Sequence, residues 1–324
     1  MRIVLAIAAI ACLGALTWAG FSARDGARRA EAGNPTTSSP ENAVQQKGSD
    51  ADGQLTERLK AITSSAGGVV GLAVTHIESG RTVNIQGTLP LPLYSVFKLP
   101  LAVAVLKDVE ENRLRLDRKV LTTPAEIVPG SQENTDLWRK PVERTVTELL
   151  ELSVMRSDNT SADKLLQLVG GASAVTERMR SLGYQNLLIH SSVREYVADR
   201  KKVNTGTASD LTRLLVDLHQ GRILQPPQLS VLLGFMQRAT TGQRRLRDLL
   251  PAGTQVADKT GSGAAGVATN DVGLITLPKG QGHLAIAVLV SDAKLPTEEQ
   301  EKLIAEVARV SYDAHLSQAA PATP

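Results

Sequence analysis

The sequence predicts an α+β fold in which helices flank a five-stranded antiparallel sheet and an all-helical lobe is inserted between two groups of strands. Two β-rich runs stand near the start of the folded part, and three more stand near its end. About 160 residues of mainly helical pattern separate the two groups. Five strands from both chain ends most simply form one sheet, and the two lobes leave a cleft between them.

The strands are predicted from runs rich in β-branched residues that end at turn-forming residues. In the first group, residues 77–80 separate two such runs and indicate a hairpin. The five predicted strands are residues 69–76, 81–86, 254–259, 271–277 and 283–290.

The helices are predicted from apolar residues that recur every three or four positions. Leu55, Leu59 and Ile62 have this spacing and begin the folded part, whereas Thr297 and Gln300 form a capping box that starts the last helix. The lobe between them is predicted to contain helices over residues 95–110, 146–155, 159–169, 172–182 and 209–218.

The N-terminus predicts export. Met1 and Arg2 precede an uncharged stretch over residues 3–21, so residues 1–23 are interpreted as a signal peptide or a signal anchor. Cleavage after Ala19 or Ala23 would release the protein, whereas an uncleaved segment would tether it to the inner membrane. The expected location is the periplasm or the outside of the cell, and the anchored and released forms both stay open.

The stretch over residues 24–53 is predicted to be a disordered linker, because Val44 is its only larger aliphatic residue. A single catalytic domain is expected over residues 54–317, and a disordered tail over residues 318–324.

Charge and residue counts argue against several classes of protein. The formal net charge of +3 is small and scattered, which disfavours a nucleic-acid partner. Cys12, the only cysteine, lies in the apolar N-terminal run and leaves the folded part without a disulfide or a catalytic thiol. The five histidines include no pair at i, i+4, so a metal site would need ligands from distant parts of the chain, and we expect no metal. A solvated surface is the favoured interpretation of the basic cluster Arg238, Arg244, Arg245 and Arg247.

Ser95 and Lys98 open an apolar helix, and their spacing places the hydroxyl and the amine on one face, one turn apart. A neutral amine could accept the hydroxyl proton, and burial or a nearby cation would make it neutral by lowering its pKa. Ser-x-x-Lys also occurs at residues 161–164 and 291–294, so this motif alone is weak evidence.

Two further motifs distinguish Ser95 from the other serines. The tripeptide Ser-Asp-Asn begins at Ser157, 62 residues after Ser95, and Lys-Thr-Gly begins at Lys259, 102 residues after that. Alone, the first would indicate a helix N-cap and the second a strand that runs into a turn. Their appearance in this order after an apolar-helix Ser-x-x-Lys is far more specific than any one motif.

Over about residues 55–316 the chain resembles the class A serine β-lactamases and the wider penicillin-recognising serine hydrolases. The resemblance rests on the three motifs, on Ser262 and Gly263 after Lys-Thr-Gly, and on Thr-Asn-Asp at residues 269–271. It implies the fold described above, a β-lactam or a D-Ala-D-Ala-like peptide as substrate, no cofactor, and a monomeric protein.

The resemblance also implies catalytic roles. Ser95 would be the acylated nucleophile, Lys98 its proton partner, and Ser157 the group that passes a proton to the leaving nitrogen. Class A enzymes carry a Glu-Pro-x-x-Asn string whose glutamate activates the deacylating water, and this chain lacks it. Glu195 is the best replacement and Asp199 the next, although a solvated carboxylate paired with a neighbouring arginine explains Glu195 equally well.

Substrate-binding roles follow from the same resemblance. Asn159 would hold the side-chain amide of the substrate, while Lys259 and Thr260 would attract its carboxylate. The backbone N–H groups of the nucleophile and of Ser262 would form the oxyanion hole. Many relatives add an arginine on the strand after Lys-Thr-Gly, but none stands between Lys259 and Leu277, so recognition is expected to rest on Lys259, Thr260 and Ser262.

The leading functional hypothesis is an exported serine β-lactamase that forms an acyl-enzyme on Ser95 and confers resistance. Two alternatives stay open: a D,D-peptidase or related penicillin-binding hydrolase of the cell wall, and a sensor that stays acylated. All three predict covalent labelling of Ser95, and the rate at which the acyl-enzyme is hydrolysed separates them.

Overall fold

The computed structural model describes residues 40–128, 137–263 and 266–318, with side chains from residue 52 onward. The predicted signal segment, residues 24–39 of the predicted linker and residues 319–324 of the predicted tail lie outside the described residues. Contacts separate residues 1–43 from residues 44–324, and the sheet and the helical lobe belong to the second unit. Among the helices within these described ranges, none is long and apolar enough to cross a membrane.

Five strands form one antiparallel sheet: β1 (Val69–His76), β2 (Thr82–Ile85), β7 (Val256–Ser262), β8 (Ala268–Thr276) and β9 (His283–Ser291). Their order across the sheet is β2-β1-β9-β8-β7, which confirms the predicted sheet. The strands β7 and β8 extend further than predicted, because Gly261 and Ser262 continue to pair with Asn270 and Thr269 instead of forming a turn.

Two short strand pairs lie outside the main sheet. The strand β3 (Leu91–Pro92) pairs with β6 (Thr205–Gly206), and β4 (Lys119–Thr122) pairs with β5 (Val142–Thr145). Both pairs are too short to leave a periodic pattern in the sequence.

The helices named from the sequence, in the inserted lobe and at the chain ends, are confirmed, with a change at Ser95. Two further helices, Val193–Ala198 and Pro226–Gln237, were not named from the sequence. A 3₁₀ turn over Tyr94–Phe97 carries Ser95, and the α-helix proper begins only at Lys98. The described α-helices are α1 (Pro40–Ser64), α2 (Lys98–Glu110), α3 (Val146–Met155), α4 (Asn159–Leu168), α5 (Ala172–Ser181), α6 (Val193–Ala198), α7 (Ala208–His219), α8 (Pro226–Gln237) and α9 (Thr297–Gln318).

The helix α1 begins at Pro40, within the residues that the sequence assigns to the linker. Leu55 and Leu59 are buried in the core and hold the C-terminal half of α1. Once that half is fixed, each further helical residue adds a hydrogen bond at little entropic cost, so the helix extends beyond its packed part. Pro40 suits the first helical position because proline lacks a backbone N–H, and an N–H at that position would have no partner within the helix.

Two hydrophobic clusters cover the two faces of the sheet. Leu72 and Val74 of β1 point to one face and pack with α1 and α9, where Ile304 is fully buried. Ala73 points to the other face and belongs to the cluster that contains α2 and the helical lobe. The edge strand β7 contacts the 3₁₀ turn that carries Ser95, so the predicted nucleophile lies where the sheet meets the helical lobe.

Candidate active site

The nucleophile candidate, Ser95, and its proton partner, Lys98, are brought together at the start of α2. Lys98 Nζ donates to Ser95 Oγ at 3.1 Å. Tyr94, just before Ser95, adopts a left-handed backbone with φ +46°, a conformation that costs a non-glycine residue about 1–2 kcal/mol. Surrounding packing must offset this strain, which is typical of a position where the direction of a side chain matters.

Gly261 of the Lys-Thr-Gly motif explains how β7 reaches the 3₁₀ turn. A Cβ atom at this position would lie 2.4 Å from the carbonyl oxygen of Leu93 and 3.0 Å from the backbone nitrogen of Val96. Any larger residue would therefore push β7 away from Ser95.

The Ser-Asp-Asn motif joins α3 to α4, and its middle residue does the capping. The Asp158 carboxylate accepts hydrogen bonds from the N–H and the hydroxyl of Ser161, both at 2.7 Å. Because Asp158 caps α4, the side chains of Ser157 and Asn159 are free to face the nucleophile. Ser157 has φ +55°, a second strained position beside the site.

Both Ser157 and Asn159 hold the amine of Lys98. Lys98 Nζ donates to the carbonyl oxygen of Ser157 at 2.5 Å, to Ser157 Oγ at 3.2 Å and to Asn159 Oδ1 at 2.7 Å. Lys98 is fully buried, and these contacts fix its amine beside the Ser95 hydroxyl.

A second buried amine completes the site. Lys259 Nζ donates to Ser157 Oγ at 3.1 Å and to the carbonyl oxygen of Thr260 at 2.9 Å. The hydroxyl of Ser157 thus contacts both lysine amines. We call Ser95, Lys98, Ser157 and Lys259 the amine–hydroxyl cluster.

Burial shifts the pKa of both amines downward. Loss of solvent, reinforced by the charge of Lys259, holds the pKa of Lys98 well below its usual value. Burial lowers the pKa of Lys259 to about 8, against the opposing effect of Asp258 and Asp271. The neutral form of Lys98, which can accept a proton, is therefore more accessible than in a solvent-exposed lysine, whereas Lys259 keeps much of its positive charge near neutral pH.

A cleft with a cavity volume of about 250 Å³ opens above the cluster. Ser95, Asn159 and Ser262 supply polar groups to its wall, while Val193, Tyr196 and other apolar side chains of the α6 region form the opposite wall. This is the combination of apolar surface and few convergent polar groups that suits a small-molecule substrate.

The last two predicted binding residues differ in their placement. Ser262 lines the cleft and is exposed, and its Oγ accepts a 2.7 Å hydrogen bond from Arg245 Nη2. Thr260 is buried, its hydroxyl pairs with that of Thr241 at 2.8 Å, and it does not line the cleft.

Arg245 is a site residue that sequence reasoning missed, and the interpretation of the basic cluster as a solvated surface is wrong for it. Its guanidinium is buried and donates to the carbonyl oxygens of Gly261 and Asn270 at 3.1 and 2.9 Å, and to Ser262. It also pairs with Glu301 at 3.2 Å. No local sequence pattern predicts this placement, because every hydrogen-bond partner of the Arg245 guanidinium lies at least 16 residues away along the chain.

The interpretation as a solvated surface is also wrong for Arg247. It forms a hydrogen-bonded ion pair with Asp258, whose side chain is fully buried. Only Arg238 and Arg244 agree with the prediction, with 58% and 63% of their side chains exposed.

The two candidate bases are not brought into the cleft. The Glu195 carboxylate accepts a 2.8 Å hydrogen bond from the N–H of Ser192 and closes a capping box on α6, which lowers the pKa of Glu195. It lines a separate pocket with Asp163 and His190. Asp199 is exposed and accepts a hydrogen bond from the N–H of Lys201.

Val193 of α6 forms part of the cleft wall. It lines the same cavity as Ser95 and Asn159, and Asp163 fixes its backbone by accepting its N–H at 2.7 Å. The described residues that line the cleft include no carboxylate.

Comparison with known proteins agrees with this geometry. The chain matches the model of the Beta-lactamase enzyme family over residues 54–315. It is 32% identical to the extended-spectrum beta-lactamase PER-1 of Pseudomonas aeruginosa, covering 83% of this chain and 90% of that protein. It is 28% identical to the beta-lactamase VEB-1 of the same organism, covering 81% and 91%.

Solved structures give the same result. The crystal structure of a beta-lactamase from Chitinophaga pinensis is 35% identical, has a TM-score of 0.77, and covers 81% of this chain and 99% of its own. The TLA-1 extended-spectrum beta-lactamase is 33% identical with a TM-score of 0.78, covering 82% and 99%. Because the matched region contains the whole amine–hydroxyl cluster and the sheet and lobe that build it, the chain belongs to the class A serine β-lactamase family of β-lactam-hydrolysing enzymes.

Proposed function

We propose that the protein is an exported serine hydrolase that opens the β-lactam ring by forming an acyl-enzyme on Ser95, and that it protects its host from β-lactam antibiotics. The observation that carries this proposal is the amine–hydroxyl cluster, in which two buried lysines with lowered pKa values flank Ser157 beside the nucleophile. The Lys98 amine lies within hydrogen-bonding reach of both the Ser95 hydroxyl and the Ser157 hydroxyl.

Acylation follows from these contacts. Neutral Lys98 takes the proton of Ser95 Oγ as the oxygen attacks the carbonyl carbon of the lactam. Ser157, which contacts both lysine amines, passes a proton to the departing ring nitrogen. The N–H groups of Ser95 and Ser262 stabilise the oxyanion, a contribution typically worth about 3 kcal/mol per donor.

Recognition of the substrate carboxylate is assigned to Lys259, Ser262 and Arg245. Lys259 contributes positive charge, and Ser262 offers a hydroxyl at the cleft surface that is oriented by Arg245. Thr260 can contribute only if its hydroxyl leaves Thr241, which makes it the weakest of the predicted binding groups. Asn159 faces the cleft and is available for the side-chain amide of the substrate.

Location is proposed from residues 1–23 and from the family. The positive start and the apolar run support export, and both a released form and a form tethered to the inner membrane fit the sequence. Fractionation of cells that express the full chain, followed by mass spectrometry of its N-terminus, separates the two forms.

A second function is favoured by one observation, the absence of a carboxylate among the described residues of the cleft wall. Hydrolysis of an ester requires a water with a base within hydrogen-bonding reach, and such a base typically contributes a factor of about 10² to 10⁴. Without it, acylation proceeds but release is slow, as in a penicillin-binding peptidase or a sensor that stays acylated.

Separate measurement of acylation and deacylation decides between the two functions. The purified protein is mixed with a penicillin and with a chromogenic cephalosporin, and intact mass is followed from milliseconds to hours. Turnover within seconds supports the β-lactamase. An adduct that persists for minutes or longer supports the slow-release function, and the absence of both an adduct and hydrolysis would contradict both.

A further inference from the structure

A group of metal-ligating side chains lies outside the cleft. Glu78 stands in the turn between β1 and β2, His219 is the last residue of α7, and His283 is the first residue of β9. One ligand atom from each lies within 4.8 Å of the other two. These residues are more than 60 positions apart from one another in sequence, so the fold supplies the distant ligands that the histidine spacing alone did not indicate.

The three side chains already lie close to one another. His283 Nδ1 lies 2.7 Å from Glu78 Oε1, and the centres of the His219 and His283 rings are 4.2 Å apart. Gly282 permits this approach, because a Cβ there would lie 2.1 Å from Glu78 Oε2. About 3.3 Å separates neighbouring ligand atoms around a tetrahedral Zn²⁺ with bonds of about 2.0–2.1 Å, so small side-chain rotations suffice.

His219 has no other role that its contacts explain. Its ring nitrogens make no hydrogen bond within the described ranges, whereas both ring nitrogens of His76 nearby are engaged, with Ser79 Oγ at 2.8 Å and the carbonyl oxygen of Gln281 at 2.9 Å.

We propose that Glu78, His219 and His283 bind a divalent transition-metal ion, with Zn²⁺ the best match. Two imidazoles and one carboxylate are ligands that Zn²⁺ prefers, and a water would occupy the fourth position. Since α7 packs on β1 and β9, the ion ties the end of this helix to the first residue of β9 and to the β1–β2 turn. None of the three residues lines the cleft, so the site is a structural clamp that is separate from the chemistry at Ser95.

Titration of the metal-free full chain with Zn²⁺ and with Co²⁺ tests the site. We expect one equivalent of Zn²⁺ to bind with a dissociation constant in the micromolar range or tighter, to raise the thermal midpoint, and Co²⁺ to give visible absorption bands of a site with nitrogen ligands. Removal of one protein ligand should weaken binding at least about tenfold. The variants are His219→Ala, His283→Ala and Glu78→Gln, and the matched control is His190→Ala, a histidine outside this group.

The outcomes are distinct. Binding that is lost in all three variants and kept in His190→Ala supports the site. Absence of binding to the unchanged protein overturns the proposal, as does Zn²⁺ affinity that stays the same in His219→Ala and His283→Ala. Thermal midpoints of the metal-free variants close to that of the unchanged protein show that any loss of binding is not a loss of fold.

Discussion

Lys98 Nζ lies 3.1 Å from Ser95 Oγ, and the two residues are held in this relation from both sides. The Ser-Asp-Asn connection fixes the amine through Ser157 and Asn159, while Gly261 lets β7 close on the turn that carries the hydroxyl. Three segments far apart in sequence therefore converge on the Ser95–Lys98 pair.

Ser95→Ala should abolish covalent labelling by a penicillin and all hydrolysis, because among the described residues it removes the only hydroxyl that both contacts the Lys98 amine and lines the cleft. The unfolding free energy should stay within about 0.5 kcal/mol, as for a substitution away from the core. Intact-mass and peptide mass spectrometry locate the adduct. Ser291→Ala, in another Ser-x-x-Lys string, is the control and should label normally; an adduct on a serine other than Ser95 would refute the assignment.

The pH profile of acylation should be bell-shaped. On the acid side, the rate falls as pH drops through the lowered pKa of Lys98, because protonation removes the base. On the alkaline side, it falls above pH about 8, where Lys259 loses the charge that attracts the substrate carboxylate. Stopped-flow acylation rates measured between pH 5 and pH 10 test both limbs.

The variant Lys259→Arg tests which group causes the alkaline limb of the pH profile of acylation. Arginine keeps its charge at every accessible pH, so the alkaline limb near pH 8 should disappear while the acid limb remains. An alkaline limb that is unchanged in this variant would show that another group titrates there.

Val193→Glu should accelerate deacylation at least about tenfold, because it places a carboxylate on the cleft wall beside the acyl group. Glu195→Gln should change deacylation little, since that carboxylate only caps α6. The decay of the acyl-enzyme measured by intact mass reports both rates. Loss of deacylation in Glu195→Gln would restore Glu195 as the base and remove the basis for the slow-release function.

The fold and the amine–hydroxyl cluster could be predicted because their signals are local or ordered along the chain. Strand periodicity, the helical pattern and the three short motifs each occupy fewer than about 20 consecutive residues. Ser192 and Glu195 also stand at capping-box spacing, and this signal would have shown that the Glu195 carboxylate is engaged at the start of α6.

Arg245 and the placement of Val193 could not be predicted in this way. The partners of Arg245 are on β7, β8 and α9, and those contacts exist only after the sheet has formed. Val193 reaches the cleft because Asp163, 30 residues earlier, holds its backbone. A single sequence carries no pattern that links such positions.

Arg245→Ala should lower the unfolding free energy by about 1–3 kcal/mol, because it removes a buried donor from two carbonyl oxygens and one of the two arginine partners of Glu301. It should also raise KM for carboxylate-bearing substrates, since Ser262 loses its donor. Arg244→Ala is the matched control: its side chain is 63% exposed, and its loss should cost less than about 1 kcal/mol. Equal losses in urea unfolding of the two variants would contradict the placement of Arg245.

A pair of buried carboxyl groups predicts how stability depends on pH. Burial raises the pKa of Asp258 to about 6, although Arg247 opposes the shift, and burial together with the charge of Asp258 raises the pKa of Asp271 well above its usual value. Both folded-state pKa values exceed those of the unfolded chain, so the folded state binds more protons from about pH 4 upward. Stability should therefore fall as pH rises from about 4, most steeply between about pH 4 and pH 6, where both groups bind more protons in the folded than in the unfolded state.

Asp271→Asn tests this linkage with little change of shape. The asparagine oxygen can accept from the N–H of Leu246, as Asp271 Oδ2 does at 3.3 Å, and its amide can donate to Asp258, so the buried polar groups keep partners. Because the amide does not ionise, the unfolding free energy should fall less between pH 5 and pH 8 than in the unchanged protein, and at pH 8 the variant should be at least as stable. Urea unfolding at both pH values measures the difference, with the exposed Asp248→Asn as the control for an equal change in net charge. The same pH difference in all three proteins would show that Asp271 is already ionised in the folded state.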